Sequence, residues 1–165
     1  MKYIQAVGVE EGERYYFETD GQGTAYRQIT VFDGNRYRVS AAPDFFLTDQ
    51  EVEMMEGDCE IPKEQFERLW LQATEPYRAD WQRVKRQYSP GDFVSGVIAM
   101  FYPHGTIIRL SGEQAYAVTG DAGLRERTPP QYLYPGYRIE GVVAGYDEEH
   151  LWLVLEGCVI TGENV

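Results

Sequence analysis

Gly91-Asp92-Phe93-Val94-Ser95-Gly96-Val97 opens, and Tyr146-Asp147-Glu148-Glu149-His150-Leu151-Trp152-Leu153-Val154-Leu155 closes, the part of the chain whose reading decides the fold. Apolar residues recur there at alternate positions: Phe93 and Val97, then Ile107, then Ile139 and Val143, and finally Leu151, Leu153 and Leu155. A period of two places one face of a strand on a core and the other in water. Gly and Pro clusters punctuate these runs. The expectation is a small antiparallel β-barrel over residues 89–165.

Three pieces of this region carry a resemblance when taken in order. They are Gly91 to Val97, then His104-Gly105-Thr106-Ile107-Ile108-Arg109-Leu110, then Tyr134-Pro135-Gly136 followed by Ile139, Val143 and Asp147-Glu148. Over somewhat under half of the chain, the arrangement resembles the S-one RNA-binding domain, an OB-fold barrel of five strands. The resemblance implies RNA or another single-stranded nucleic acid as partner. Members that bind RNA usually place two aromatics around the glycine of the second strand and a histidine on the third. Here those positions hold His104, Ile107 and Val118 or Thr119, with Phe101, Tyr102 and Tyr116 close by. The candidate nucleic-acid-binding set is therefore a shifted stacking surface of Phe101, Tyr102, His104 and Tyr116, assisted by Arg109.

Upstream of the barrel, β-prone runs cover residues 3–9, 14–19, 24–32 and 36–40, and Asp33-Gly34-Asn35 is a hairpin signal between the last two. They predict an antiparallel meander. Ile61-Pro62-Lys63-Glu64-Gln65-Phe66-Glu67 opens a helix whose Phe66, Leu69, Trp70 and Ala73 recur at helical spacing, as a face that covers the sheet would. Pro76 interrupts it, and a second helical piece from Tyr77 to Tyr88 carries Arg78, Arg83, Lys85 and Arg86 around Trp81, Val84 and Tyr88. Two readings of that piece stand: a nucleic-acid contact, or a linker helix whose cations pair with acidic neighbours. Ser89-Pro90-Gly91 marks the expected boundary between units 1–88 and 89–165. The fold class read from the chain is mainly β with some α, that is α+β: an N-terminal antiparallel sheet plus helices, and a C-terminal five-stranded OB-fold barrel. The residues Tyr16-Phe17-Glu18, Tyr26-Arg27-Gln28-Ile29 and Ile61 to Trp70 give the first half a faint likeness to small bacterial domains of unassigned function, which adds weight to a protein-binding role.

The net charge of -12, from 27 acidic and 15 basic residues, opposes an electrostatic grip on phosphate backbones and favours a basic protein partner. The alternative partner-binding set is Glu51, Glu53, Met54, Met55 and Glu56, in a stretch from Ala41 to Asp58 expected to be an exposed loop or short edge strand. Its acids lack the spacing of a calcium loop, so no metal site is expected. Cys59 and Cys158 follow no paired spacing, which fits a reducing, cytoplasmic setting without disulfides. No run approaches the roughly 20 apolar residues that cross a bilayer, so no membrane partner is expected. His104 and His150 stand outside any nucleophile motif and no phosphate loop occurs, so neither catalytic residues nor cofactors are expected and the chain reads as a non-enzyme. Arg125 and Arg127, in the long connection before the fourth barrel strand, either touch a ligand or simply solvate a loop.

Overall fold

The computed structural model describes residues 1–112 and 114–165. The chain is mainly β with some α, and it divides into two compact units, Met1–Arg78 and Ala79–Val165.

In the first unit, β1 (Lys2–Val7), β2 (Arg14–Thr19), β3 (Ala25–Phe32) and β4 (Arg36–Val39) form the expected antiparallel meander. A fifth short strand, β5 (Cys59–Glu60), pairs with the free edge of β1, so the sheet order is β4-β3-β2-β1-β5. Asp33 and Gly34 take positive φ angles of 48° and 85° in the β3–β4 turn, which is why the chain reverses there. Helix α1 (Lys63–Thr74) starts after Pro62 and buries Phe66, Trp70 and Ala73, spaced four and three residues apart along one face. They pack on Tyr3, Tyr16, Ile29, Val31 and Val39 of the sheet.

One polar cluster lies inside that layer. Arg27 is 1% exposed, and its guanidinium meets Glu18 (Nε to Oε1 3.0 Å, Nη2 to Oε2 2.8 Å) and Glu67 of α1 (Nη1 to Oε2 3.1 Å). The rings of Phe66 and Trp70 lie 4.9 and 5.1 Å from its central carbon. A buried cation is tolerable only with such pairing, so Arg27 ties β3 to both β2 and α1.

The other face of the sheet adds to the reading of residues 41–58 as an exposed loop or short edge strand, because part of the segment packs down. Leu47 and Val52 from this segment pack against Ala6, Phe17 and Ala25. Backbone N–H groups fasten it: Val52 donates to the Gly23 carbonyl at 2.8 Å, and Thr48 to the Gln28 side-chain carbonyl at 2.7 Å. The physical reason lies in β2, whose run Tyr15-Tyr16-Phe17 is apolar on both faces, so each needs a cover.

The second unit begins with α2 (Arg78–Gln87), a helix that the sequence assigned to the first half. Buried Trp81 donates its Nε1–H to Glu148 at 2.9 Å, and the Tyr146 hydroxyl donates to the Tyr88 carbonyl at 2.6 Å, so the helix packs on the barrel. The barrel strands are β6 (Phe93–Tyr102), β7 (Gly105–Leu110), β8 (Tyr116–Thr119), β9 (Tyr137–Asp147) and β10 (Trp152–Asn164), with the short helix α3 (Gly123–Arg127) between β8 and β9. They close in the order β10-β8-β7-β6-β9, with β10 antiparallel to β9 but parallel to β8. That connectivity is the OB barrel. The end of the chain, expected to form a separate short strand after Leu155, instead continues β10 as far as Asn164 through register shifts.

Candidate functional site

The site grows from one glycine. Gly105 has φ of 135°, and a Cβ there would stand 2.1 Å from the Thr119 carbonyl oxygen, so only glycine lets the β6–β7 turn lie against the end of β8. This close approach brings Phe101 and Tyr102, at the end of β6, beside the β8–α3 connection. Between them opens a cavity of about 240 Å3 whose lining includes Phe101, Tyr102, Thr106, Thr119, Asp121 and Arg125. The Arg125 guanidinium carbon sits 5.0 Å from the centre of the Phe101 ring. Burial pushes the Tyr102 phenol above its ordinary range, so it enters this site as a neutral hydroxyl.

The two arginines of this connection have different fates. Arg127 donates to Asp121 at 2.7 Å and to the Cys158 carbonyl at 2.8 Å. Asp121 also accepts the Gly123 N–H at 2.9 Å, and the Arg127 hydrogen bond, then that of Gly123, holds its carboxyl below the usual range. Arg127 is thus a brace for the connection, while Arg125 lines the cavity.

On the other side of Tyr102 lies an aromatic cluster that brings both histidines of the chain together. The His150 ring stacks on Trp152 at 4.5 Å and 11°, and the His104 ring centre is 4.6 Å from that of His150. Tyr102 lies 6.0 Å from His104 and 6.2 Å from Trp152. Asp147 orients the imidazole: its Oδ2 is 3.0 Å from His150 Nδ1, which assigns the proton to that nitrogen, and its Oδ1 accepts the N–H groups of Glu149 and His150 at 3.0 Å each. Burial raises the Asp147 carboxyl, but the His150 contacts and these N–H groups outweigh it, and the net shift is downward.

Of the five residues expected at a nucleic-acid surface, Phe101, Tyr102 and His104 come together. Arg109 and Tyr116 face each other across β7 and β8, three positions along β7 from Thr106, or about 10 Å at the strand rise. They form a second patch nearer the turn that follows β7. The alternative set, Glu51, Glu53, Met54, Met55 and Glu56, is exposed throughout, Met54 at 52% and Met55 at 67%. Nearby Asp58 turns inward, accepting the N–H groups of Val7 and Met55 at 3.1 and 3.0 Å.

No protein-family model matches this chain, and no curated protein matches it.

On the basic helix α2, two of the cations pair with acidic neighbours. Lys85 pairs with Glu148 at 2.7 Å and lies 5.5 Å from the Trp81 ring centre, and Arg83 pairs with Asp80 at 3.8 Å. Trp81, 3% exposed, offers no face on which a base can stack. Among the described residues, no group of three or more His, Cys, Asp or Glu is arranged to hold a metal ion, and no helix is long and apolar enough to cross a membrane. Cys59 is exposed and Cys158 buried, both as free thiols, with burial pushing the Cys158 thiol upward. Trp152 and the pairing of His104 with His150 were missed from sequence. The two histidines stand far apart in the chain, and only the barrel closure that pairs β9 with β10 carries His150 and Trp152 to this end.

Proposed function

We propose that the chain is a non-enzymatic binding protein whose S-one-like OB barrel takes a single-stranded nucleic acid, RNA first among them, at the end of the barrel marked by Phe101, Tyr102 and His104. The observation that carries this reading is the cavity of about 240 Å3 with two aromatic side chains and the Arg125 guanidinium on its wall. Flat bases stack on aromatic rings whatever their sequence, and an arginine beside the ring supplies both a cation–π partner and a phosphate contact. With a net charge of -12, stacking and not long-range attraction carries the affinity. Labelled single-stranded RNA titrated at low and moderate salt tests it. Each stacked base contributes about 1–3 kcal/mol, so Phe101→Ala weakens binding roughly tenfold or more. Absence of binding at micromolar protein and low salt ends the reading.

A second reading, an acidic protein-interaction or immunity-type module for a basic protein, is favoured by the adjacent exposed Met54 and Met55 among Glu51, Glu53 and Glu56. Charge complementarity would speed association, and the methionines would give the apolar anchor that lasting affinity needs. A nuclease-resistant stoichiometric protein partner, whose association slows when Glu51, Glu53 and Glu56 are neutralised together, would select this reading over the first.

A further inference from the structure

The sheet face opposite α1 carries a site that the barrel reading does not use. Beside the patch covered by Leu47 and Val52 opens a cavity of about 230 Å3. Its floor follows from register: Tyr15, Thr30 and Arg38 are aligned across β2, β3 and β4, so their side chains leave the same face. Gln28 and Phe32, two residues to either side of Thr30 on β3, share that face. Gln28 and Thr30 are 8% and 6% exposed. The Gln28 amide donates to Thr30 Oγ1 at 3.2 Å, and among the described residues the Thr30 hydroxyl donates to no acceptor, so its proton is directed to whatever enters.

Arg38 is what sets the cavity apart. Its guanidinium carbon lies 4.9 Å from the ring centre of Phe32 and 4.9 Å from that of Phe46, which fixes the group by cation–π attraction. Arg27, Arg36, Arg78, Arg83, Arg127 and Arg138 each stand within 4 Å of a carboxylate. Arg38, like Arg14, Arg68, Arg86, Arg109 and Arg125, has no carboxylate within that distance among the described residues, and of these six it is the one that lines this cavity. Its planar fork of N–H donors is matched to a carboxylate. At the opposite rim stands Glu13, and burial, then the neighbouring Glu13 carboxylate, holds the Tyr15 phenol above its ordinary range.

We infer that this cavity binds a free α-amino acid of the hydrophobic or aromatic class. The carboxylate meets Arg38 and Thr30, the ammonium meets Glu13, and the side chain lies on Phe32, Phe46 and Tyr15. Size decides against larger ligands, because pockets for drug-sized molecules run from about 300 to 1,000 Å3. Charge decides against a dianion such as phosphate, which Glu13 repels, and against a neutral apolar molecule, which leaves both Arg38 and Glu13 without a counterpart. Arg38 on β4 and Glu13, which immediately precedes β2, start about two strand spacings apart, about 10 Å, a span that two long side chains close around a molecule of amino-acid length.

The test is a 15N–1H titration of the full chain with L-phenylalanine and L-leucine, and in parallel with L-phenylalaninamide, N-acetyl-L-phenylalanine and inorganic phosphate. Saturable shifts at the amides of Tyr15, Thr30 and Arg38 with either free amino acid at millimolar concentration are expected, with the amide and the acetylated analogue at least tenfold weaker. Arg38→Gln and Glu13→Gln, at half-exposed or exposed positions, should each weaken binding at least tenfold without changing the melting temperature. If Arg38→Gln lowers the melting temperature, the two analogues on wild-type protein and Glu13→Gln decide. The inference is overturned if neither amino acid gives a saturable shift, if the amide binds as well as the acid, or if phosphate moves the same amides as strongly.

Discussion

Replacing Arg27 by Met tests whether one buried ion cluster fastens α1 to the sheet. The substitution keeps an unbranched apolar stem of similar length but removes the guanidinium, which makes four hydrogen bonds to Glu18 and Glu67. Glu18 then loses the guanidinium that faces it: its side chain is 12% exposed, and the Tyr3 hydroxyl donates to it at 3.0 Å. Removing one partner of a buried pair costs about 3–5 kcal/mol, chiefly because the remaining charge has no counterpart. Against a total stability of about 5–15 kcal/mol this is a large share. For a unit of this size each kcal/mol moves the melting temperature by about 4–8 °C, so Arg27→Met should lower it by about 12 °C or more. Scanning calorimetry of the full chain, supported by near-ultraviolet dichroism of Trp70 and its neighbours, measures this. Two further variants isolate the cause. Adding Glu18→Gln to Arg27→Met removes the buried carboxylate charge and should recover part of the loss, while Arg27→Lys, a single point charge without the fork, should fall between wild type and Met. A melting temperature for Arg27→Met within about 2 °C of wild type, or no recovery with Glu18→Gln, would refute the reasoning.

Tyrosine titration gives a second check. Burial, then hydrogen bonds to Glu18 and Asp44, pushes Tyr3 and Tyr77 up to about 12, so absorbance at 295 nm should show both silent through pH 10 to 11. The sign follows: the unfolded phenol loses its proton near pH 10 while the folded one keeps it, so their stabilisation is full below about pH 10 and is lost as pH rises toward 12. At the acid end Asp147 acts oppositely, its lowered folded value giving stability that is present above the usual carboxylate range near pH 4 and lost as pH falls below it. Asp147→Asn should therefore flatten the acid limb of the stability curve measured by urea midpoint. Glu148→Leu should release α2, since Trp81 and Lys85 both donate to that carboxylate, and hydrogen exchange of residues 79–87 should rise severalfold; unchanged exchange would show that packing alone holds the helix.

What was legible in the sequence was local. Period-two alternation gave the meander and the barrel strands, and the Asp33-Gly34 turn and the Pro62 helix start fell where their chemistry demands. What was illegible depended on distant residues meeting. The Tyr26-Arg27-Gln28 stretch gives no sign that Arg27 is buried, because its two counter-charges lie on another strand and on a helix. Leu47 and Val52 lie in a segment whose acidic composition gives no sign that they cover the second face of the Tyr15-Tyr16-Phe17 strand. Helix α2 was assigned by the punctuation at Pro90, yet its allegiance is fixed by Glu148, more than sixty residues further on. At the candidate site, Phe101, Tyr102 and His104 are neighbours in sequence and so were found together, whereas Arg109 and Tyr116 were grouped with them by proximity in the chain alone.

The distribution of positive charge narrows what the barrel can grip. Phosphate-driven binding requires several cations free to face one strand, and each one contributes to a steep salt dependence. Here Lys85, Arg127 and Arg138 are all bound to carboxylates of the same unit, at 2.7, 2.7 and 3.3 Å. Exposed Arg109 stands three positions along β7 from cavity-lining Thr106, about 10 Å, and Arg125 sits over the Phe101 ring. Under the proposed function, a single strand seated at this end of the barrel would meet one or two cations beside two aromatic side chains. With so few phosphate contacts, at about 0.7 per contact in the logarithmic salt slope for single strands, affinity changes little with salt, and selection falls to the rings and the shape of the cavity. That is the profile of a short oligonucleotide held by its bases, and it is the form of nucleic-acid binding that an acidic chain can sustain.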